Sequence, residues 1–193
     1  GGATVEINGG SRARMPAPQP GERRVAAIVA ADVVGYTRLM EADESGTHAR
    51  LMHVRATVLL PVIERRHGRI IKNTGDGFLA MFDDAAGAMQ AAMEMQRSIM
   101  TSEAREAANR RIAFRMGVNV ADVIVEDHDV YGDGVNVAAR LQTHAEPNGI
   151  VISGPVADAV GGTLGMHSVD LGQMYLRNRE QPVRVLSLRF TDA

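Results

Sequence analysis

Two stretches decide the fold of this chain: Val-Ala-Ala-Ile-Val-Ala-Ala-Asp at residues 25–32, and Ile-Ile-Lys-Asn-Thr-Gly-Asp-Gly at residues 70–77. The first is an apolar run with the length of a buried strand, and it ends on the carboxylate of Asp32. The second predicts a strand followed by a tight glycine turn that carries Asp76. Two carboxylates fixed at strand ends can hold a divalent metal such as magnesium, which needs few oxygens and leaves room for phosphates.

The bulk composition excludes several classes of protein. The chain has 193 residues, 45% hydrophobic and 23% charged, as in an ordinary globular protein with one core. It has no cysteine, so disulfides and thiolate zinc sites are excluded, in keeping with a reducing compartment. A formal net charge of -2 and 4% aromatic residues disfavour nucleic-acid binding. Without an apolar run long enough for a membrane span or a secretion signal, we expect a cytoplasmic protein.

The pattern along the chain predicts a leader and one domain. Glycine pairs and prolines at residues 1–22 indicate a disordered leader or an expression remnant, followed by a folded domain at residues 23–193. Within the domain, apolar residues at helical spacing predict a helix over residues 47–66, with a kink or an early end at Pro61. Residues 69–82 then have the pattern of strand, Gly-Asp-Gly turn and strand.

The second half of the chain continues this alternation. A helix is predicted with one core-facing stripe, formed by Met89, Met93, Gln96 and Met100. A strand pair follows at residues 111–126, then a helix in the second half of residues 129–140, and further strands at residues 150–153 and 183–190. This order predicts an α+β sheet covered by helices on one face.

Four polar residues are candidates for recognition of a ligand. Asn136 and Arg140 are four apart, so on a helix they project from the same face and could meet a sugar ring and a phosphate. Lys72 interrupts an apolar strand and must point at water or at a partner. Asp129 could be that partner, directly or through a purine, and adenine offers the matching acceptor and donor.

At these residues the sequence resembles the class III nucleotidyl cyclases, and within them the bacterial adenylyl cyclase branch. Three motifs in the same order carry the resemblance: Ala-Asp-Val-Val-Gly-Tyr-Thr at residues 31–37, Lys-Asn-Thr-Gly-Asp-Gly at residues 72–77, and Asp-Val-Tyr-Gly-Asp-Gly-Val-Asn-Val-Ala-Ala-Arg at residues 129–140. The resemblance covers residues 23–188. It implies the class III cyclase catalytic fold, a ferredoxin-like βαββαβ core with extra C-terminal strands.

The resemblance also implies roles for the metal and base residues. Asp32 and Asp76 would bind two metal ions, Mg²⁺ or Mn²⁺, with help from the carbonyl of Val33. Lys72 and Asp129 would bind the adenine base.

The remaining roles concern the ribose and the phosphates. By the resemblance, Asn136 would orient the ribose and Arg140 would stabilise charge on the α-phosphate. Arg177 matches a position where the family commonly has a triphosphate-binding lysine, and it keeps the charge with a different geometry. One turn would offer backbone N–H groups to the β- and γ-phosphates, in agreement with the anion preference of helix N-termini: Val34, Gly35, Tyr36 and Thr37.

The implied reaction is attack of the ribose 3′-hydroxyl on the α-phosphorus of ATP, giving 3′,5′-cyclic AMP and pyrophosphate. The family combines metal aspartates of one subunit with base and ribose residues of the other, so the resemblance implies a homodimer with composite sites. Three alternatives stay open: a catalytically silent nucleotide-binding regulatory domain, a guanylyl cyclase, and a palm-type polymerase or diguanylate cyclase. The last predicts a basic template groove or a Gly-Gly-Asp-Glu-Phe signature, and the sequence has neither.

Overall fold

The computed structural model describes residues 16–127, 129–161 and 165–191, and the predicted leader lies outside the described residues up to residue 15. In this part of the chain the strands are β1 (Glu22–Val33), β2 (Arg69–Thr74), β3 (Gly77–Phe82), β4 (Phe114–Val125), β5 (Val130–Tyr131), β6 (Ile150–Ser153), β7 (Met166–Met174) and β8 (Val183–Phe190). The α-helices are α1 (Tyr36–Ala42), α2 (Glu44–Val54), α3 (Leu60–Arg65), α4 (Ala85–Glu103), α5 (Asp133–Thr143) and α6 (Gly154–Val160). None of the described helices is long and apolar enough to cross a membrane.

The strands form one sheet in the order β2-β3-β1-β4-β6-β8-β7, and the short β5 pairs with β4. The first four strands in this order are antiparallel to their neighbours, with β1 at the centre between β3 and β4. This is the ferredoxin-like arrangement, and the strands β6, β8 and β7 extend it. The predicted α+β fold with extra C-terminal strands is therefore confirmed.

Alternate residues of β1 face opposite sides of the sheet, as the period of a strand requires. Ala27, Val29 and Ala31 pack in the larger core with residues of α1, α2, α3, α4 and α6. Ala26, Ile28 and Ala30 pack on the other side, where α5 contributes its apolar residues. The expectation that all helices lie on one face of the sheet is thus wrong for α5. The strands β1, β3 and β4 are apolar on both faces, so helices must cover the sheet on both sides.

The helical segment before β2 continues through Pro61 instead of ending there. A π-helical turn, Arg55–Leu59, joins α2 to α3, and the N–H of Leu60 bonds to the carbonyl of Arg55. Proline has no N–H to donate and crowds the preceding turn, so the widened turn lies just before it. Pro61 then occupies the first turn of α3, where it is tolerated.

Two further expectations differ from the structure, and two elements were not predicted. Residues 114–125 form the single long strand β4 and not a strand pair. Met100 is 39% exposed, and the buried stripe of α4 uses Met95 and Ile99 beside Met89, Met93 and Gln96. The strand β7 and the helix α6 had no clear sequence signal, because β7 is largely exposed and α6 is short.

Candidate active site

The two predicted metal carboxylates lie at neighbouring strand ends. Asp32 is next to the last residue of β1, and Asp76 lies in the turn between β2 and β3. β1 pairs with β3 up to Ala31 and Phe78, which brings the turn beside Asp32. The approach is so close that a Cβ atom on Gly77 would lie 1.8 Å from the carbonyl oxygen of Ala31. The glycine after Asp76 is therefore required for the two carboxylates to meet.

The surroundings of Asp32 are polar and partly buried. Gln142 of α5 donates from Nε2 to Oδ1 of Asp32 at 2.6 Å. Arg115 is paired with Asp32 in the register of β1 and β4, and its Nη2 lies 3.4 Å from the same oxygen. Burial raises the pKa of Asp32, the charge of Arg115 opposes the shift, and the negative charge of Asp76 adds to it. The mutual repulsion of the two carboxylates favours a cation between them.

Lys72 and Asp129 are in contact, with Nζ and Oδ2 3.1 Å apart. The other oxygen of Asp129 accepts the N–H of Val130, which fixes the carboxylate at the start of β5. A bulge at Ile71 shifts the pairing of β2, so that Ile70 opposes Ala80 but Lys72 opposes Leu79. Since Leu79 packs on the α5 side of the sheet, the bulge turns Lys72 to that side.

The residues predicted to contact ribose and phosphate are accessible to solvent and, within the described part of the chain, form no hydrogen bond or ion pair with these pairs. Asn136 is exposed on α5 and Arg140 is half-buried one turn later. Arg177 is exposed in the connection between β7 and β8. Across the described residues, none of these three side chains makes a hydrogen bond or ion pair, so all three are available to a ligand.

The turn after β1 offers fewer backbone donors than expected. Val33 is the last residue of β1, and the N–H of Val34 donates to the carbonyl of Ala113 at 2.8 Å. Gly35 adopts the left-handed conformation, with φ 59°, at the start of α1. The first N–H groups of that helix, including those of Tyr36 and Thr37, have no helical acceptor. Only Val34 of the predicted turn is thus already occupied.

The structure adds two residues that sequence reasoning did not single out. Arg115 had a usable signal, because it interrupts an apolar strand as Lys72 does. Gln142 had none, since an amide next to apolar Leu141 on a helix is common. Its role is visible only because α5 packs across β4 and β1.

The donor set at the strand ends fits a magnesium-type ion. Among the described residues there is no group of three or more histidine, aspartate or glutamate side chains that could hold a metal alone. Asp32 and Asp76 provide carboxylate oxygens, and magnesium is commonly bound by one or two carboxylates together with substrate phosphates. Charge repulsion between the two carboxylates and the exposed approach to Asp76 agree with this use.

Comparison with known proteins gives one family. The model of the adenylate and guanylate cyclase catalytic domain matches residues 20–187. A putative adenylate cyclase 3 of Rhizobium meliloti (strain 1021) is 44% identical over 163 residues, which cover 84% of this chain and 28% of that protein. An adenylate cyclase of Streptomyces coelicolor is 28% identical over 71% of this chain and 34% of its own length. The chain thus spans about a third or less of these two relatives.

Solved structures give the same fold. The adenylate/guanylate cyclase/hydrolase from Silicibacter pomeroyi is 39% identical with a TM-score of 0.82, and the match covers 89% of this chain and 99% of that one. The adenylyl cyclase CyaB from P. aeruginosa is 21% identical with a TM-score of 0.76, covering 89% of this chain and 96% of that one. The guanylyl cyclase Cya2 is 20% identical with a TM-score of 0.75, covering 90% and 96%. At such identities the last two show the fold alone.

Proposed function

The chain belongs to the adenylate and guanylate cyclase catalytic domain family, the class III nucleotidyl cyclases, and on this premise we propose that it is an adenylyl cyclase. It would convert ATP to 3′,5′-cyclic AMP and pyrophosphate. The observation that carries the proposal is the pair of carboxylates, Asp32 and Asp76, at adjoining strand ends. Such a pair suits a triphosphate with its divalent ions, because magnesium is commonly held by one or two carboxylates together with substrate phosphates.

The contact between Lys72 and Asp129 supports adenine as the base. A lysine donates to a ring nitrogen, and a carboxylate accepts from an exocyclic amine, which is the combination that adenine offers on one edge. Guanine would need acceptors for both its ring N–H and its amine. In the free chain the two side chains pair with each other, so their charges are compensated until a base takes the place of the direct contact.

The exposed side chains would bind the rest of the nucleotide. Asn136 would orient the ribose, and Arg140 would donate to the α-phosphoryl oxygens, where loss of one donor typically costs about 10²–10³ in rate. Arg177 would bind the triphosphate, and the free N–H groups at the start of α1 would add donors for its outer phosphates. Arg115, beside Asp32, brings a further cation to the same place.

The reaction balances without a protein base. The ribose 3′ oxygen forms a bond to the α-phosphorus, the bond from that phosphorus to the bridging oxygen breaks, and pyrophosphate leaves with the electron pair. The hydroxyl proton passes to solvent. Divalent ions held by Asp32, Asp76 and the Val33 carbonyl would lower the pKa of the hydroxyl and neutralise the phosphates.

We further propose that the working unit is a homodimer. Cyclase domains act as dimers on nucleotide substrates. In the described chain, no hydrogen bond or ion pair connects the exposed Asn136 and the half-buried Arg140 with the carboxylate pair. A site that joins the carboxylates of one subunit to the exposed residues of the other would use both sets.

One assay tests the proposal directly. The purified chain is incubated with ATP or GTP and with Mg²⁺ or Mn²⁺, and the products are identified by chromatography and mass spectrometry. We expect cyclic AMP and pyrophosphate from ATP, and no product with an Asp76→Asn variant, which excludes a contaminating enzyme. Nucleotide binding without turnover would favour a silent regulatory domain, and faster conversion of GTP would favour a guanylyl cyclase.

A further inference from the structure

A single arginine holds the turn that carries Asp76. Arg55, the first residue of the π-helical turn, donates from Nη2 to the carbonyl of Gly75 at 2.8 Å and to the carbonyl of Gly77 at 3.5 Å. These two carbonyls flank Asp76 on either side. The guanidinium therefore bridges the two peptide units between which the carboxylate is placed.

Apart from the strand pairing on either side and the packing of Gly77 against β1, few contacts fix the turn. Gly75 has a φ of 72°, and the residues before Asp76 in the turn are exposed. In the described part of the chain no other side chain hydrogen-bonds to residues 74–77. A turn with glycine on both sides of one residue has much conformational freedom, so an external bond has a large effect on its geometry.

Arg55 also lies at an irregular point of its helical segment. The widened turn before Pro61 begins at Arg55, whose own carbonyl accepts the N–H of Leu60. π-helical turns are frequent at functional sites. This backbone feature is independent of the side-chain contact, and both involve the same residue.

We propose that Arg55 is a positioning residue for Asp76: by bridging the carbonyls of Gly75 and Gly77, it holds the carboxylate beside Asp32 for divalent ion binding. The inference rests on the proposed function for the role of the two carboxylates. Hydrogen bonds from a charged donor are roughly twice as strong as neutral ones. Both bonds come from Nη2, which lies at the end of a side chain one bond longer than that of lysine.

The test uses three variants of the full chain. Arg55→Met removes the donors and keeps an unbranched apolar side chain, and Arg55→Lys keeps the charge on a side chain that is one bond shorter. Arg65→Met is the control, because Arg65 lies farther along the same helical segment and pairs with Glu94 on α4, away from the Asp76 turn. The measurements are hydrogen exchange of the metal-free protein, Mn²⁺ affinity by electron paramagnetic resonance with an unreactive ATP analogue, and the melting temperature.

We expect both Arg55 variants to exchange about tenfold faster in a peptide covering residues 73–78, and to bind Mn²⁺ about tenfold more weakly. The melting temperature should stay within about 2 °C, because the contact lies at the edge of the fold. Arg65→Met should leave exchange and Mn²⁺ affinity unchanged. If Arg55→Met is too unstable to measure, Arg55→Lys decides the matter alone.

Unchanged exchange and Mn²⁺ affinity in both variants would overturn the inference, and so would an Arg55→Lys variant that behaves as the wild type. Failure of the proposed function is a separate result. A wild-type chain that binds Mn²⁺ but forms no cyclic nucleotide would remove the cyclase proposal and leave the exchange result standing. An active enzyme whose Arg55 variants keep wild-type metal affinity would remove only the role of Arg55.

Discussion

At the scale of the residue, the site is made by charged side chains in apolar strands. Asp32 and Arg115 each interrupt a run of buried residues, and Lys72 follows two half-buried isoleucines on β2. A charge removed from water costs free energy unless it has a partner. Lys72 has Asp129, while Asp32 and Arg115 face each other across β1 and β4. The carboxylate of Asp32 is the least well compensated, since burial keeps its pKa above the ordinary value.

The raised pKa of Asp32 predicts a gain in stability on its replacement. In the folded chain Asp32 binds a proton more tightly than in the unfolded chain, so its contribution to stability falls as the pH rises above the ordinary value of 3.8. We expect Asp32→Asn to raise the melting temperature at pH 7 by about 1–3 °C in a chelator. The difference in melting temperature between Asp32→Asn and the wild type should decrease as the pH is lowered toward 3.8.

Thermal melts between pH 7.5 and about pH 4 check this expectation, because the contribution of Asp32 changes between its ordinary pKa of 3.8 and its raised pKa in the folded chain. Asp122→Asn serves as the control, because it removes an exposed carboxylate of the same sheet. An Asp32→Asn protein that is less stable than the wild type at every pH would contradict the expected direction. The gain would be another case of a functional residue held at a cost in stability.

The pair of Lys72 and Asp129 predicts the base preference. Lys72→Glu places two carboxylates together, which repel adenine's ring nitrogen and could accept from the ring N–H and amine of guanine. We expect kcat/KM for ATP to fall at least about tenfold, with a shift of preference toward GTP. Lys72→Met, which removes the donor without adding an acceptor, should lower ATP use without the gain for GTP. An unchanged ratio in both variants would exclude a role in base recognition.

At the scale of the element, strand register and helix packing place these side chains. The bulge in β2 puts Lys72 on the same side of the sheet as α5. Helix α5 lies so close to β4 that a Cβ atom on Gly117 would be 2.4 Å from the carbonyl oxygen of Ala138 and 2.5 Å from the backbone nitrogen of Gln142. The helix that bears Arg140 is thus positioned by one glycine on the strand beneath it.

Gly117→Ala should therefore displace α5 and impair the site. Overpacking of a close contact costs about 1–3 kcal/mol, and a shift of about 1 Å in a catalytic side chain can cost about 10²-fold in rate. We expect a lower melting temperature together with a loss of kcat of about that size. Gly87→Ala is the matched control, because its added Cβ would lie 3.2 Å from a carboxylate oxygen of Asp84 and 3.8 Å from the nearest backbone atom, which is no closer than ordinary van der Waals contact. Equal activity of the two variants would show that α5 tolerates the displacement.

At the scale of the whole molecule, the proposed site consists of two groups of side chains that no hydrogen bond or ion pair joins within the described chain. The carboxylate pair lies at the β1 and β3 strand ends, and the side chains of Asn136 and Arg140 project from α5 without a partner among the described residues. Helix α5 connects the two groups, because it bears Asn136 and Arg140 and also Gln142, which bonds to Asp32. A symmetric dimer would combine the two groups twice.

Mixing two inactive variants tests this arrangement. An Asp32→Ala chain and an Arg140→Ala chain should each be inactive, and their equal mixture should recover about a quarter of the wild-type specific activity. About half of the dimers are then mixed, and each has one complete site of two. Dilution should lower the specific activity of the wild type as the dimer dissociates. Absence of both recovery and a dilution effect would contradict a shared site.

The sequence by itself determined the local features of this protein. The apolar run ending on Asp32, the glycine turn with Asp76 and the helical spacing of Asn136 and Arg140 depend on residues within a few positions of one another. Their order along the chain also carried the family resemblance, and with it the fold. The sequence left two long-range questions open. It named the contact of Lys72 with Asp129 as one possibility, and it did not identify the neighbours of Asp32.

Only the tertiary structure decided what surrounds these residues. Arg115 and Gln142 reach Asp32 from 83 and 110 positions away, and Arg55 reaches the Asp76 turn from another layer. Such contacts depend on which strands pair, in which register, and on which face each helix packs. A bulge that adds one residue to β2 changes the side to which Lys72 points. Local periodicity cannot encode these choices, because the free energy that selects them comes from burying both faces of the sheet at once.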